Sequence, residues 1–198
     1  MSAARLLVLA VAFAAARSLA AQDARIDPRL EHRLDARTSA SVGALVDSAR
    51  AERLPAEPLV QKALEGASKH ADGARIVAAV RALMLELRDA RAVLGASASD
   101  AEVAAGASAL HVGISRATIE RLRDAHSRAS LTVTLAVLTD LVARGVPGDT
   151  AAVAVSSLAA AGARDAELLA YRQGVERDIS LGAPPAAAAT IRARPRSR

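Results

Sequence analysis

Apolar residues recur every three or four positions along most of this chain, the spacing that places them on one face of a helix. One apolar stripe runs through 42–49 and a second through 59–67. The longest covers 73–94, with Leu83 and Met84 on its apolar face. Shorter stripes continue toward the C-terminus. The pattern predicts a succession of amphipathic helices.

Capping residues mark several of the helix boundaries. Asp72 can accept a free N–H from the first turn of the longest helix, and Gly95 can end that helix. Ser99 and Glu102 have the spacing of a capping box, and Ser115 is placed to cap the helix after it. These local signals predict where helices begin and end, but not how the helices pack.

One stretch, 131–138, has the pattern of either a strand or a helix. Leu131, Val133 and Leu135 alternate with polar or small residues, which is strand periodicity. The same stretch also fits a helical stripe through Leu135 and Leu138. No second strand pattern exists to pair with it, and a lone strand leaves its backbone hydrogen bonds unmet. We therefore predict a helix.

Short turns of the form Gly–apolar–Pro, or with a polar residue in place of Pro, separate the stripes. Gly145-Val146-Pro147 and Gly182-Ala183-Pro184 are the clearest examples, and the turns at 128, 145 and 162 give a period of about 17 residues. The predicted turns begin at residues 53, 70, 95, 113, 128, 145, 162 and 182. Such short links make neighbouring helices antiparallel. We predict an all-α fold of antiparallel helical hairpins, stacked as a short solenoid or as an irregular bundle.

Composition limits the kind of core and the kind of ligand. Hydrophobic residues make up 52% of the chain, but many of them are alanines, which bury little area, so we expect Leu, Val and Ile to form the core. The only aromatic residues are Phe13 and Tyr171. Aromatic rings line many small-molecule pockets, so we infer no small-molecule ligand and no cofactor.

The first 20 residues have the pattern of an export signal. Arg5 precedes an apolar run at 6–16, and small residues around 18–20 fit a cleavage site. The run is shorter than the roughly 20 residues that span a bilayer, although retention as an uncleaved anchor stays an alternative. We predict an exported protein, periplasmic or extracellular. It contains no Cys, so its fold rests on packing alone.

The rest of the chain divides by composition. Residues 21–40 form a polar lead-in, partly ordered, in which Pro28 can start a short helix. Residues 41–182 form the helical-hairpin domain. Residues 183–198 form an Ala-, Pro- and Arg-rich tail, which we expect to contain a short helix and then to be partly disordered.

Nothing in the sequence has the spacing of a catalytic or metal site. The histidines are His32, His70, His111 and His126, and most of them are predicted at helix ends, where a cation is favoured by the helix dipole. No His-x-x-x-His or Cys-based ligand spacing occurs, and no nucleophile motif is present. Acidic residues fit helical charge pairs such as Glu120–Arg123 and Arg172–Glu176. We therefore predict no metal, no cofactor and no enzyme activity.

Arginine is the remaining candidate for binding. The net charge of +5 falls to +3 once Arg5 and Arg17 leave with the signal peptide, which is a small excess for a nucleic-acid binder. Several arginines are nevertheless clustered on one face of the longest helix and along the tail. These possible anion or partner contacts are Arg81, Arg88, Arg91, Arg192, Arg194, Arg196 and Arg198.

Three functions fit these observations. The first is a non-enzymatic exported helical scaffold that presents a surface to another macromolecule, most simply a protein. The second is a binder of an anionic polymer or a membrane surface through the arginine face and the tail. The third is an enzyme whose site is assembled from dispersed carboxylates and histidines.

Overall fold

The computed structural model describes residues 27–125 and 130–194, and this described part contains ten helices and no strand. The all-α prediction is confirmed. The helices are α1 (Pro28–Glu31), α2 (Ala36–Ala51), α3 (Glu57–Ser68), α4 (Gly73–Leu94), α5 (Asp100–His111), α6 (Arg116–Ala125), α7 (Thr132–Ala143), α8 (Gly148–Ala160), α9 (Asp165–Ser180) and α10 (Pro185–Ala193). The ambiguous stretch at 131–138 is helical, as predicted, since Leu131 is the N-cap residue of α7 and 132–138 belong to that helix.

The predicted turn starts share one backbone conformation. Within the described residues, each of them has a positive φ: Arg53, His70, Gly95, Gly113, Gly145, Gly162 and Gly182. The turn predicted at 128 lies outside the described residues. A residue with positive φ ends a helix because the chain can no longer continue the right-handed coil. Glycine adopts this conformation without steric cost, whereas Arg53 and His70 adopt it with a side chain.

The hydrogen bonds of these turns explain why an apolar residue follows the residue with positive φ. The N–H of Gly145 donates to the carbonyl of Val142 at 2.9 Å, and the N–H of Val146 donates to the carbonyl of Leu141 at 3.0 Å. This pair of bonds is the Schellman motif. It turns Val146 back over α7, where its side chain is buried. The same two bonds recur at the turns that begin at 53, 70, 113, 162 and 182.

Helices two apart in sequence lie side by side and parallel. The first turns of α2 and α4 are in contact, since a Cβ on Gly73 would overlap Oγ1 of Thr38. At the opposite ends of the same two helices, Glu52 and Arg88 form an ion pair. All of the main contacts join helices that are one or two places apart in the chain. This pattern matches the solenoid alternative: one row contains α4, α6, α8 and α10, and the other contains α5, α7 and α9.

The core consists of two clusters that meet at α4 and α5. The first lies under α1 to α5 and the second under α4 to α10. Leu, Val and Ile supply most of the large buried side chains, as expected, but alanine occupies more of the core than the sequence predicts. Alanines are fully buried at Ala49, Ala63, Ala90, Ala107, Ala109, Ala151 and Ala189. Their small side chains let the helix backbones approach closely, so alanine contributes through packing distance as well as through helix propensity.

Three sequence expectations need correction. Leu83 is only half-buried, because it borders a groove, whereas Met84 is buried in the core. The pair Arg172–Glu176 does not form, since Arg172 pairs instead with Asp140 on α7. The pair Glu120–Arg123 does not form either, because Arg123 binds its neighbour Asp124 and the carbonyl of Val93. A contact between helices replaces the expected pair at Arg172, whereas Arg123 binds both within its own helix and to α4.

Both ends of the described chain are helical. Residues 36–40 of the predicted lead-in belong to α2, and Leu30 of α1 is fully buried. In the tail, 185–193 form α10. The signal peptide predicted at 1–20 lies outside the described residues. None of the helices within 27–125 and 130–194 combines the length and apolar character needed to cross a bilayer.

Candidate functional site

The arginines predicted to form a binding face on α4 do not share one role. Arg88 donates from Nε and Nη2 to the two carboxylate oxygens of Glu52, at 2.6 and 2.7 Å. This side-chain hydrogen bonding lowers the pKa of Glu52 and raises that of Arg88. Arg91 donates to the carbonyls of Arg53 and Ala98. Arg88 and Arg91 therefore join α4 to the C-terminal end of α2, and Arg91 also binds the loop that follows α4.

The arginines of the tail also differ from one another. Arg192 donates from Nε and Nη2 to both carboxylate oxygens of Asp178, at 2.5 and 2.7 Å, which attaches α10 to α9. The backbone N–H of Arg194 donates to the carbonyl of Ile191 at 3.4 Å, but its side chain makes no hydrogen bond or ion pair with the rest of the described chain. Arg196 and Arg198 lie outside the described residues. The tail is thus partly a structural element.

Arg81 is the arginine of the predicted α4 face that has no internal partner among the described residues. Its exposed side chain lines a pocket at the start of α4, together with the exposed side chain of Arg37 from α2. Arg37 was not among the predicted residues. The two are 44 positions apart in sequence and come together only because α2 and α4 run parallel.

A groove of about 490 Å³ crosses four helices on another side of α4. Its lining comes from α3, α4, α5, the turn after α5, and α7: Lys62, Ala79, Ala82, Leu83, Glu86, Ser108, His111, Val112 and Thr139. Small side chains at Ala79 and Ala82 leave the space that larger residues would fill. A second groove, of about 500 Å³, is bordered by α8, α10 and Arg194 after α10, with no such junction of four helices.

The surface of the four-helix groove is mostly apolar. Ser108 donates its hydroxyl to the carbonyl of Ala104 at 3.1 Å, and Thr139 donates to the carbonyl of Leu135 at 2.9 Å. Both hydroxyls are therefore occupied by their own helices. Lys62, at the edge, is paired with Glu65 at 3.0 Å. A ligand in the groove would meet mainly methyl and methylene groups.

One polar pair stands out at the edge of this groove. Nδ1 of His111 lies 2.8 Å from Oε1 of Glu86. An ionised carboxylate can only accept, so Nδ1 carries the hydrogen and Nε2 is left as the ring nitrogen free to accept another. The two residues are 25 positions apart, on α5 and α4. No local spacing rule could have revealed this pair, because it depends on how the hairpin packs.

The described histidines otherwise lie apart. His32 follows α1, His70 follows α3 and His111 ends α5, so each of them lies at a helix C-terminus. His126 lies outside the described residues. Within 27–125 and 130–194, no group of three or more His, Cys, Asp or Glu side chains is arranged to hold a metal ion.

Comparison with known proteins finds no match. No family model, no curated protein and no solved structure resembles this chain closely enough to be counted as similar.

Proposed function

We propose that this chain is a non-enzymatic helical-repeat protein that binds an extended segment of a partner protein in the groove across α3, α4, α5 and α7. The groove itself is the observation that carries the proposal. Its lining joins residues of four helices, with the longest run on two successive turns of α4, and its surface is mostly apolar. An extended peptide can lie along such a path and bury side chains between successive helices.

The polar groups of the groove support a peptide as the occupant. Oε2 of Glu86 and Nε2 of His111 have no partner among the described residues, so each can accept a hydrogen bond. A peptide backbone and its side chains supply N–H donors at close intervals. In such sites the apolar contacts along the floor supply most of the affinity, and a few hydrogen bonds at one edge fix the orientation of the ligand.

The proposal is tested by selecting peptides from a random display library against the folded protein. Ala82 is exposed on the groove floor, and Ala82→Arg would fill the groove with a charged side chain. Ala92, also exposed and also on α4, lies outside the groove and provides the matched control Ala92→Arg. We expect selected peptides to lose at least tenfold in affinity, about 1.4 kcal/mol, with Ala82→Arg and to keep their affinity with Ala92→Arg.

Two results would contradict this function. One is a selection that enriches no peptide on the original protein. The other is a set of peptides that bind Ala82→Arg as tightly as the original chain, since these would bind elsewhere. Circular dichroism of both variants verifies that each remains helical.

We also propose that the partner is met outside the cytoplasm. The support is the leader pattern at 1–20. The mass of the protein recovered from a secreting host tests this: a mature chain beginning near residue 21 is expected, and a full-length chain retained in the cytoplasm would contradict it.

A second candidate function, hydrolysis, is favoured by the Glu86–His111 pair alone. A carboxylate that fixes Nδ1 leaves Nε2 able to accept a proton from water. Ser108 lines the same groove, but its hydroxyl donates to Ala104 instead. Turnover of p-nitrophenyl acetate that falls at least tenfold with His111→Gln would support hydrolysis. Turnover at the background rate, or unchanged by that substitution, would exclude this role for the pair.

A further inference from the structure

The first turns of α2 and α4 enclose a pocket of about 550 Å³ that differs in chemistry from the peptide groove. Arg81 lies two positions after Ala79, so it projects about 200° around α4 from that groove residue. The pocket lining includes Asp35, Arg37, Thr38, Gly73, Ala74 and Arg81. With Ser41, Val77 and Ala78, which complete it, this lining is polar and apolar in about equal parts and carries charged side chains, whereas the groove is mostly apolar.

The two arginines of this pocket lack the side-chain partners that most of the described arginines have. Arg88 and Arg192 each bind a carboxylate through two nitrogens, and Arg91 binds two backbone carbonyls. The side chains of Arg37 and Arg81 make no hydrogen bond or ion pair within the described residues. Two cations that line one pocket without a counter-charge favour an anion from solution.

The one carboxylate in the pocket does not supply that counter-charge. Oδ1 of Asp35 accepts from the N–H groups of Arg37 and Thr38, both at 3.0 Å, and Oδ2 accepts from the hydroxyl of Thr38 at 2.6 Å. These hydrogen bonds, that of the Thr38 hydroxyl first, lower the pKa of Asp35. Its charge is therefore directed at the first turn of α2.

Fewer backbone N–H groups have an acceptor in the first turn of α4 than in the first turn of α2. Asp72 accepts only from the N–H of Arg75, at 2.9 Å, while the N–H groups of Gly73 and Ala74 have no acceptor within the described residues. Both residues line the pocket. An oxyanion placed between Arg37 and Arg81 would thus also lie near two free backbone donors.

We propose that this pocket binds a phosphate-sized oxyanion, held mainly by the guanidinium groups of Arg37 and Arg81. The ligand chemistry is a phosphoryl group, either free or on a small phosphomonoester. Guanidinium groups match it because they donate two parallel hydrogen bonds to neighbouring oxygens. This site is independent of the peptide groove, and either proposal can fail without the other.

The test is a titration of the ¹⁵N-labelled protein with inorganic phosphate and, separately, with glycerol 3-phosphate. We expect saturable shifts of the amide signals of Gly73 and Ala74. Arg37→Met and Arg81→Met should each weaken binding at least tenfold. The control is Arg177→Met, because Arg177 is an exposed arginine on α9 whose side chain also makes no hydrogen bond or ion pair in the described chain.

A second variant keeps both arginines. Ala74 is exposed at the start of α4, and Ala74→Asp adds a carboxylate to the pocket. An acidic side chain in a first helical turn is stabilising, so this variant should melt at or above the temperature of the original protein while losing phosphate binding.

Several outcomes would overturn the proposal. They are the absence of saturable shifts at Gly73 and Ala74, unchanged binding in both arginine variants, and equal loss of binding with Arg177→Met. Binding to vesicles of anionic phospholipid without binding of either soluble phosphate would also overturn it, since that result indicates a membrane surface instead.

Discussion

Arg88 binds both carboxylate oxygens of Glu52, a residue 36 positions earlier in the chain, at 2.6 and 2.7 Å. Glu52 directly follows α2, and Arg88 lies near the end of α4. At the other end of these helices, Thr38 packs against Gly73. The two contacts together hold α2 parallel to α4. The arginine face of α4, which the sequence predicts to bind a partner, is therefore partly used in the internal contact between α4 and α2.

We predict that Arg88→Met destabilises the protein in a pH-dependent way. Arg88 holds the pKa of Glu52 below its ordinary value of 4.5, so the pair stabilises the fold above that pH and loses its effect as pH falls through the lowered pKa. Urea denaturation should thus show a difference between variant and original protein near neutral pH that shrinks in acid. The control Arg81→Met removes an arginine without an ion pair, and a similar pH-dependent difference there would contradict the explanation.

The turn conformation predicts opposite effects of two substitutions. Gly145 has a φ of 87°, which a Cβ makes unfavourable, so Gly145→Ala should lower the free energy of unfolding by at least about 1 kcal/mol. His70 has a φ of 53° and an exposed side chain, so His70→Gly should raise stability by about 0.5 kcal/mol once the entropy cost of glycine is included. Chemical denaturation measures both. A loss of stability with His70→Gly would show that its conformation is not strained.

Leu138 and Leu83 both lie on predicted apolar stripes, but they differ in burial. Leu138 is fully buried on α7, and Leu138→Ala should cost about 2–5 kcal/mol. Leu83 is half-buried in the groove, and Leu83→Ala should cost only about 1 kcal/mol. Thermal and urea unfolding of the two variants test this. Equal losses would mean that the groove is closed in solution and that Leu83 belongs to the core.

Tyr171 provides a spectroscopic test of the packing of α9 against α10. Its hydroxyl donates to the carbonyl of Ala189 at 3.0 Å, and burial raises its pKa to about 12. The chain has one Tyr and no Trp, so ultraviolet absorbance reports on this ring alone. We expect an ionisation midpoint about 2 units above that of the urea-unfolded chain, with stability decreasing between these two pH values. Identical midpoints in the folded and unfolded protein would show that the ring is exposed.

Helix boundaries could be predicted because they depend on neighbouring residues. Asp72 and Gly95 bound α4 at the predicted residues, and Ser99 forms the predicted capping box with Glu102. The turns are equally local, since a Schellman motif involves only six consecutive residues. These signals specify the helices and their order, which is sufficient to give the fold class.

The candidate sites could not be predicted, because each combines residues that are distant in sequence. Glu86 meets His111 through the packing of α4 against α5, and Arg37 and Arg81 line one pocket because α2 and α4 lie side by side. Long arginine side chains can reach several acids, so composition does not decide which pairs form. Arg172 illustrates this, since it pairs with Asp140 rather than with Glu176 on its own helix.

The division of the core into two clusters has a consequence for how the protein unfolds. Ala189, on α10, and Leu59, on α3, belong to different clusters, which meet only around α4 and α5. A chain built in this way can lose its terminal hairpin while the opposite end retains its native hydrogen bonds. Amide exchange should then proceed inward from the last helices, with the slowest amides in α4 and α5, the two helices that contribute to both clusters.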